Sequence, residues 1–325
     1  MDGQEWLAGR FEQHRTRLRA VAYRMLGSLS EADDAVQDAW LRLSRTDAGG
    51  VEDLGAWLTT VVARVSLNML RARNARRVEP LGPHVPDPIV DRADGGDPEH
   101  EALLADSVGL ALLVVLDTLA PAERLAFVLH DLFDLPFEEI APMVGRTPEA
   151  TRQLASRARR RVKGAETPLP ERDLARQRAV VDAFLAASRA GDFDALVAVL
   201  HPDVVVRADF SPSRPRRSAV TRGAAAVARQ ALQGASPAAQ VHPALVNGAA
   251  GAVLTMDGRP YAVFAFTIAE GKIVQIDAVA DPDRVATLAA PVLAGALGAR
   301  ARGARRRRLL AGVRGRRLQP RPQDR

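Results

Sequence analysis

Apolar residues recur at i, i+3 and i+4 through most of residues 10–77. This spacing predicts two amphipathic helices over residues 10–45, with Gly27 ending the first and Ser30 capping the second. A longer helix is predicted over residues 54–73, and its exposed stripe is basic. The N-terminal part of the chain is therefore expected to be an all-α unit of three helices.

The helical pattern stops at residues 78–99, which are rich in proline and glycine and predict a linker without a core of its own. It resumes over residues 101–163, which predict a second all-α unit. The last two helices of this unit are short. Gly145 would end the first of them, and Thr147 would cap the second, with Pro148 in its first turn. Two short helices joined by such a turn are typical of a helix-turn-helix.

The second of these two helices has a face that suits DNA. A helical wheel places Ala150, Leu154 and Ala158 on its apolar side. The polar side offers amide, hydroxyl and basic groups, which are the groups that contact base edges and phosphates. These candidate DNA-binding residues are Arg152, Gln153, Ser156, Arg159, Arg160 and Lys163. The alternative reading is a solvated basic helix at the end of a bundle.

After Pro170 the pattern changes to helices mixed with strands. A helix is predicted over residues 172–190, then a short helix and a strand, and a further helix near residues 223–232. The following segment predicts at least two strands, because MDGRP and AEGK are typical of hairpin turns. The predicted fold class is multi-domain, with two all-α domains followed by an α+β domain.

Composition limits the function classes. The 325-residue chain has a formal net charge of +6, but residues 299–325 alone carry +10, so total charge does not indicate specific DNA binding. That arginine-rich tail predicts disorder. The chain has no cysteine and only six scattered histidines, which indicates neither disulfides nor a metal site. With no membrane-length apolar run and no signal-peptide pattern, we expect a cytoplasmic protein that does not enter a membrane.

The two helical units resemble an extracytoplasmic-function (ECF) sigma factor of RNA polymerase. Three segments carry the resemblance in the right order: AYRMLGSLSEADDAVQDAWLRL, GAWLTTVVARVSLNMLRARNARR and LAPAERLAFVLHDLFDLPFEEIAPMVGRTPEATRQLASRARRRVK. The resemblance implies a sigma-2 domain over residues 8–77, a linker over 78–100 and a sigma-4 domain over 101–165. It also implies two partners, core RNA polymerase and promoter DNA.

The same resemblance implies roles for individual residues. The loop from Thr46 to Asp53 would receive a flipped base of the promoter −10 element. The face that docks the clamp coiled coil of the largest polymerase subunit would be formed by Asp33, Asp34, Gln37 and Asp38. Melted −10 DNA would lie along Arg64, Asn68, Arg71 and Arg73. The helix-turn-helix residues above would contact the −35 element.

The C-terminal part resembles a SnoaL-like (NTF2-like) domain in the segments FLAASRAGDFDALVAVLHPDVVV and GKIVQIDAVADPDRV. This combination is similar to the SigJ-like subset of ECF sigma factors, which implies a regulatory domain over residues 172–290. The subset's Asn-Pro-Asp-Lys-Leu motif is matched conservatively by Asp281, Pro282, Asp283, Arg284 and Val285. Its Trp-Leu-Pro linker motif is replaced by His84-Val85-Pro86, and its Asp-Gly-Gly-Gly-Lys stretch is replaced by residues 208–212, ADFSP.

Two other functions stay open from the sequence. The C-terminal domain could be an enzyme, or a module for a small-molecule ligand, that the helices only tether to DNA. Acid–base candidates for such an enzyme are His201, Asp209, His242, Tyr261 and Asp277, although no two are spaced as a recognisable pair. The chain could also be an ordinary operator-binding regulator. We expect no catalytic residue and no cofactor in the sigma-factor interpretation.

Overall fold

The computed structural model of the chain describes residues 3–46, 53–76, 84–95, 97–104, 109–164, 171–210 and 219–294. Its N-terminal part contains α1 (Gly3–Leu26), α2 (Leu29–Leu43) and α3 (Leu54–Arg76). The three helices pack against one another through their apolar faces, as the sequence predicts. Gly27 separates α1 from α2 with a φ of 74°, a conformation that costs a non-glycine residue about 1 kcal/mol.

The predicted helix cap at Ser30 is wrong. The second helix begins at Leu29, and the N-cap position is Ser28, whose backbone is extended. Ser30 lies inside the first turn of α2. The chain leaves Gly27 and enters the next helix directly, because Gly27 already supplies the change of direction.

A second group of helices follows: α4 (Pro98–Leu104), α5 (Leu110–Asp117), α6 (Pro121–Phe127), α7 (Phe137–Val144) and α8 (Pro148–Gly164). A π-helical turn, Val128–Leu132, continues α6. The predicted turn between α7 and α8 is present: Gly145 has a φ of 70°, and Thr147 Oγ1 accepts a hydrogen bond from Ala150 N at 3.3 Å. These last two helices form a helix-turn-helix.

The buried side of α8 differs from the helical-wheel prediction. Thr151, Ala155 and Ala158 are buried, whereas Ala150 and Leu154 are only partly buried. The neighbouring helices determine this rotation, since α8 packs on α5, α6 and α7. The small side chain of Ala155 allows close approach, and the Thr151 hydroxyl is satisfied by donating to Thr147 O at 2.9 Å.

The C-terminal domain is α+β, as predicted. Its helices are α9 (Leu174–Ala190), α10 (Phe193–Val199), α11 (Ala224–Gly234) and α12 (Pro282–Leu288). One sheet contains β1 (Val90–Arg92), β2 (Leu200–Asp209), β3 (Ala219–Arg222), β4 (Ala239–Val246), β5 (Ala249–Met256), β6 (Arg259–Ala269) and β7 (Lys272–Val279). The strand order is β1-β4-β5-β6-β7-β2-β3, and only the β2–β7 pair is parallel among these strands. Both predicted hairpin turns are present, with positive φ at Asp257-Gly258 and Glu270-Gly271.

The linker, residues 78–99, contributes to the shared core and to the sheet, which the sequence does not show. Val90 to Arg92 form β1, which pairs with β4, and Val85 and Ile89 are buried. The edge of β4 offers unpaired backbone groups, and the linker satisfies them. The buried segment is too short to show strand periodicity in the sequence, which explains why it reads as a linker.

Two apolar cores hold these parts together. The inner face of the sheet packs against α9, α10 and α11 through residues such as Phe184 and Phe266. The outer face, with Val253 and Val263, belongs to a core that continues through the linker into both groups of N-terminal helices. The described chain is therefore closed, with its helical units packed on each other and on the sheet. None of its described helices has the length and apolar character needed to cross a bilayer.

Candidate functional site

The outward face of α8 carries most of the predicted −35 residues. Arg152, Gln153, Arg160 and Lys163 are exposed, and the Arg152 guanidinium lies 5.2 Å from the centre of the Phe137 ring on α7. Ser156 and Arg159 are only partly exposed. Arg159 Nε donates to Asp131 Oδ1 at 2.6 Å, so part of its charge is balanced within the protein.

Two arginines of α8 that sequence reasoning left out fix the position of this helix. Arg157 Nε and Arg161 Nη1 donate to the two carboxylate oxygens of Glu123 on α6, at 3.0 and 2.9 Å. Glu123 is only 6% exposed. The i, i+4 spacing of the arginines was a signal for one shared partner, but the sequence does not show which acid lies opposite them.

The predicted −10 residues lie on α3 but have different surroundings. Arg64, Asn68 and Arg71 are exposed, and Arg64 Nη2 donates to Pro142 O of α7 at 3.3 Å. Arg73 is partly buried instead. Its guanidinium donates to Leu26 O at 3.1 Å, to Glu31 at 3.3 Å and to Asp117 of α5 at 3.4 Å. The structure therefore ties both ends of this basic ridge, Arg64 and Arg73, to the second group of helices.

A buried charge cluster joins the two helical units beside this ridge. Arg124 of α6 is 1% exposed; it donates to Asp117 Oδ1 at 3.2 Å and to Arg24 O of α1 at 3.1 Å. Burial lowers the pKa of Arg124 to about 10, and the nearby charge of Arg73 lowers it as well, while Asp117 acts in the opposite direction. Asp117 thus receives hydrogen bonds from two guanidinium groups, one from each unit.

The acidic face of α2 is where the sequence predicted it. Asp34 and Gln37 are exposed, and within the described residues neither makes a hydrogen bond or an ion pair. Asp38 accepts from Arg42 at 2.9 Å. Asp33 accepts two hydrogen bonds from Arg19, at 2.6 and 3.0 Å, and Arg19 also pairs with Glu99 of α4 at 2.9 Å. Glu99 therefore lies next to the predicted polymerase dock.

A cluster of hydrogen-bonding groups, which we name the linker clasp, joins the linker to the C-terminal domain. It consists of His84, Val85, Asp87, Asp209 and Arg284. Asp209 Oδ2 accepts from Arg284 Nη1 at 2.7 Å, from Val85 N at 3.0 Å and contacts His84 Nδ1 at 3.1 Å. Arg284 also donates to Asp87 Oδ1 at 2.6 Å and to Val85 O.

The pKa of Asp209 reflects this environment. Burial raises it, but the hydrogen bonds from His84 and Val85 and the positive charge of Arg284 outweigh burial, and the pKa lies below its usual value. Asp209 is therefore ionised at neutral pH. It is part of the linker clasp, although the sequence offered it as a general acid or base.

The motif at residues 281–285 forms the start of α12. The Asp281 side chain caps the helix by accepting from Asp283 N and Arg284 N at 3.1 Å each, and Pro282 takes the first turn. Val285 is fully buried in the core shared with the helices. These local interactions direct the Arg284 side chain toward the linker.

A second contact between the linker, α1 and the sheet lies at the β4–β5 turn. Asn247, with a φ of 49°, accepts from Ile89 N at 2.7 Å and donates from its own backbone to Ile89 O at 2.8 Å. Its side chain also contacts the buried Tyr23 hydroxyl, which donates to Asp87 O at 3.0 Å. Burial raises the pKa of Tyr23, so the hydroxyl stays neutral.

The other acid–base candidates lie at separate places in the C-terminal domain. Asp277 is 2% exposed and is held by Arg207 and Gln275; burial raises its pKa above the usual value. His201 Nδ1 accepts from Asp203 N, and His242 contacts the Thr255 hydroxyl on β5. Tyr261 lies on β6.

Several predicted features fall outside the described residues: most of the Thr46–Asp53 loop, Ser211, Pro212 and the tail over residues 299–325. Within the described ranges, no cluster of three His, Asp or Glu side chains is arranged to hold a metal ion.

Comparison with known proteins defines the class first. The chain matches the family described as Sigma-70 region 2 over residues 10–76, which correspond to α1–α3. It matches Sigma-70, region 4 over residues 109–162, which correspond to α5–α8. The helix-turn-helix and the basic ridge thus belong to a sigma-70-type protein.

Similar proteins narrow the class. The chain is 38% identical over 288 residues to the ECF RNA polymerase sigma factor SigJ of Mycobacterium tuberculosis, covering 84% of this chain and 91% of SigJ. It is 35% identical over 294 residues to the probable ECF sigma factor SigI of the same organism, covering 89% and 98%. The SigJ crystal structure superposes with a TM-score of 0.67 at 36% identity, covering 85% of this chain and 97% of SigJ.

The chain therefore belongs to the family of ECF RNA polymerase sigma factors. Its function is that of the family, the direction of promoter-specific transcription initiation, and sigma factors themselves are not enzymes. The predicted fold class, with two helical sigma regions and an α+β domain, is confirmed.

Proposed function

We propose that the closed arrangement is a resting form in which the chain cannot hold both promoter elements at once. The −35 and −10 elements are named for positions about 25 base pairs apart, which is roughly 85 Å of duplex at about 3.4 Å per base pair. In the closed chain α7 packs directly on α3, and helices in contact have axes only about 8–10 Å apart. Initiation therefore requires the two sigma regions to separate.

The linker determines whether they can separate. The roughly 30 residues between α3 and α5 could span about 100 Å if fully extended. In the closed form the linker clasp, β1 and the Asn247 contact hold the middle of this segment on the C-terminal domain. We propose that this domain modulates activity by holding or releasing the linker.

One observation supports this proposal above the others: the basic ridge of α3 is tied to the second sigma region. Arg73 shares Asp117 with Arg124, and Arg64 donates to Pro142 O. If Arg73 contacts DNA in the initiation complex, it must first leave Asp117. The closed contact and DNA contact at this residue are then alternatives.

We also propose the residue roles implied by the family. The α8 residues named above would contact the −35 element, with Arg152 and Gln153 near its start reading bases and Arg160 and Lys163 contacting phosphates. Arg64, Asn68, Arg71 and Arg73 would follow melted −10 DNA. The acidic face of α2 would dock the clamp coiled coil of the polymerase. Because the family acts on RNA polymerase, we propose a cytoplasmic location.

A ligand-binding role for the C-terminal domain is not part of this proposal. On the inner face of its sheet, aromatic rings pack together: Phe266 lies 5.7 Å from Phe184 and 6.5 Å from Phe264 between ring centres. These rings occupy space that a small apolar ligand would need.

Run-off transcription with purified core RNA polymerase tests the proposed function. The template is the upstream region of the protein's own gene, and the full-length chain is compared with core polymerase alone. A discrete transcript that needs the chain is the expected result. The absence of both a transcript and binding to core polymerase would contradict the proposal.

Charge reversal at Asp34 tests the polymerase dock. Asp34→Lys is expected to weaken binding to core polymerase by about tenfold. It replaces an acidic side chain by a basic one in an interface whose association depends on complementary charges. Surface plasmon resonance with immobilised core polymerase measures the change. Asp203→Lys, at an exposed corner of β2, makes the same charge change away from the dock and should leave affinity unchanged. Equal affinities for both variants would rule out α2 as the dock.

A further inference from the structure

A cavity of about 350 Å³ lies between the two sigma regions, beside the N-terminal end of α3. Two of its walls belong to the first sigma region and come from α1 and from the first turns of α3. The third wall belongs to the second region, where the chain passes from the π-helical turn into α7. The cavity is therefore complete only while the two regions are packed together.

Ionisable side chains of opposite sign line different walls of this cavity. The basic side chains of His14 and Arg17 come from one face of α1, where their spacing of three positions places them next to each other. The carboxylates of Asp134 and Glu139 come from the second sigma region. Within the part of the chain that the structure describes, none of these four side chains makes a hydrogen bond or an ion pair. All four are thus available to a ligand.

The rest of the lining is partly apolar and closely packed. Leu18 and Leu135 are buried, and the ring of Phe133 is partly exposed. At Gly55 the backbone of α3 comes so close to α1 that an added Cβ would lie 3.0 Å from the imidazole of His14. Apolar surface with a few convergent polar groups is typical of a site for a small organic molecule.

We propose that this cavity binds a small zwitterion of the α-amino-acid type with an apolar side chain. The ligand carboxylate would pair with Arg17, the ammonium with Asp134 and Glu139, and the side chain would lie on the apolar lining. An anion would leave the acidic wall without a partner, and a cation would leave the basic wall without one. The volume is near the lower end of the range for small-molecule sites, about 300–1,000 Å³, which favours a ligand of this size.

Such a ligand would hold the chain closed, because its two charged ends bind different sigma regions. Arg17 belongs to α1, whereas Glu139 belongs to α7. Once the regions separate, each offers only half of the site, so the ligand binds the closed form more tightly and opposes opening. This consequence rests on the proposed function, whereas binding itself does not depend on it.

Isothermal titration calorimetry with the full-length chain and no polymerase tests the binding. Leucine, methionine and phenylalanine are titrated as free L-amino acids, and at least one is expected to bind with a dissociation constant below about 1 mM. Its N-acetyl derivative lacks the ammonium and its amide lacks the carboxylate, so each should bind at least about tenfold more weakly. The inference is overturned if none of the three binds, or if a derivative without one charge binds equally well.

Two pairs of variants locate the site. Arg17→Ala and Glu139→Gln should each weaken binding of the amino acid by about tenfold, since each removes one charged partner. Their controls are Arg15→Ala on the same helix and Glu138→Gln at the neighbouring position of α7. Both control residues are exposed and outside the cavity lining, and their variants should bind like wild type. If Arg17→Ala and Glu139→Gln also bind like wild type, the site lies elsewhere and the inference is overturned.

Surface plasmon resonance with core polymerase tests the effect on closure. With the amino acid at about ten times its dissociation constant, the affinity of wild type for polymerase should fall by about tenfold, and that of Glu139→Gln by much less. An unchanged affinity with the amino acid bound would overturn the link to closure. If the chain does not bind polymerase even without the amino acid, the proposed function fails, and the calorimetric result for the cavity stands.

Discussion

Replacing Arg284 with alanine is expected to raise the affinity of the full-length chain for core RNA polymerase by about tenfold or more. Arg284 is the centre of the linker clasp, where it donates to Asp87, Asp209 and Val85 O. Hydrogen bonds to charged groups contribute about 1.5–3 kcal/mol each, so weakening closure by the equivalent of only one of them already shifts the equilibrium toward the open form by roughly 10–100-fold.

We propose that stable engagement of core polymerase, like that of the two promoter elements, needs the separated sigma regions, so the measured affinity is expected to follow the open fraction. Arg284→Lys keeps one charged donor but loses the planar fork, and it should fall between wild type and alanine. The control is Arg176→Ala, which removes an exposed arginine outside the linker clasp. This variant should bind polymerase like wild type. Circular dichroism confirms that each variant is folded. Unchanged or weaker polymerase binding by a folded Arg284→Ala protein would contradict a closed resting form.

The Asp117→Asn substitution should have the largest effect on stability. The carboxylate of Asp117 is the shared acceptor for Arg124, which is 1% exposed, and for Arg73. Removing one partner of a buried charge pair typically costs about 3–5 kcal/mol, because the remaining charge stays buried without compensation. Urea unfolding followed by tryptophan fluorescence measures the shift in the midpoint.

The control for this prediction is Asp94→Asn. Asp94 also pairs with an arginine, Arg92, at 2.6 Å, but the pair is at the surface. Its removal should leave the midpoint unchanged, since solvent replaces the lost interaction. If the two variants unfold at the same urea concentration, the buried cluster does not stabilise the contact between the sigma regions.

Much of the architecture could be predicted from the sequence because local signals agree with the fold. The apolar spacing of α1–α3 and the Gly145–Thr147 turn identify their elements without any tertiary information. The hairpin turns at Asp257-Gly258 and Glu270-Gly271 do the same for the sheet. Each of these features depends on neighbours within a few positions.

The parts that could not be predicted depend on distant partners. β1 is a strand only because β4 offers its edge, and the contact between Arg73 and Asp117 forms only when the two sigma regions pack together. Asp209 and Arg284 form the linker clasp although 75 positions separate them in the chain. The rotation of α8 likewise follows from packing on several helices at once. Such contacts leave no periodic mark in the sequence.

The long-range pairing of the linker also has a consequence during protein synthesis. Ile89 and Asn247, which bond to each other, are 158 positions apart. At about 5–20 residues per second, a ribosome needs roughly 10–30 s to make that interval. Both sigma regions are complete before the C-terminal strands exist. Each new molecule therefore passes through a stage in which no C-terminal domain is present to hold the linker. During that stage a nascent chain is able to meet polymerase before it has closed.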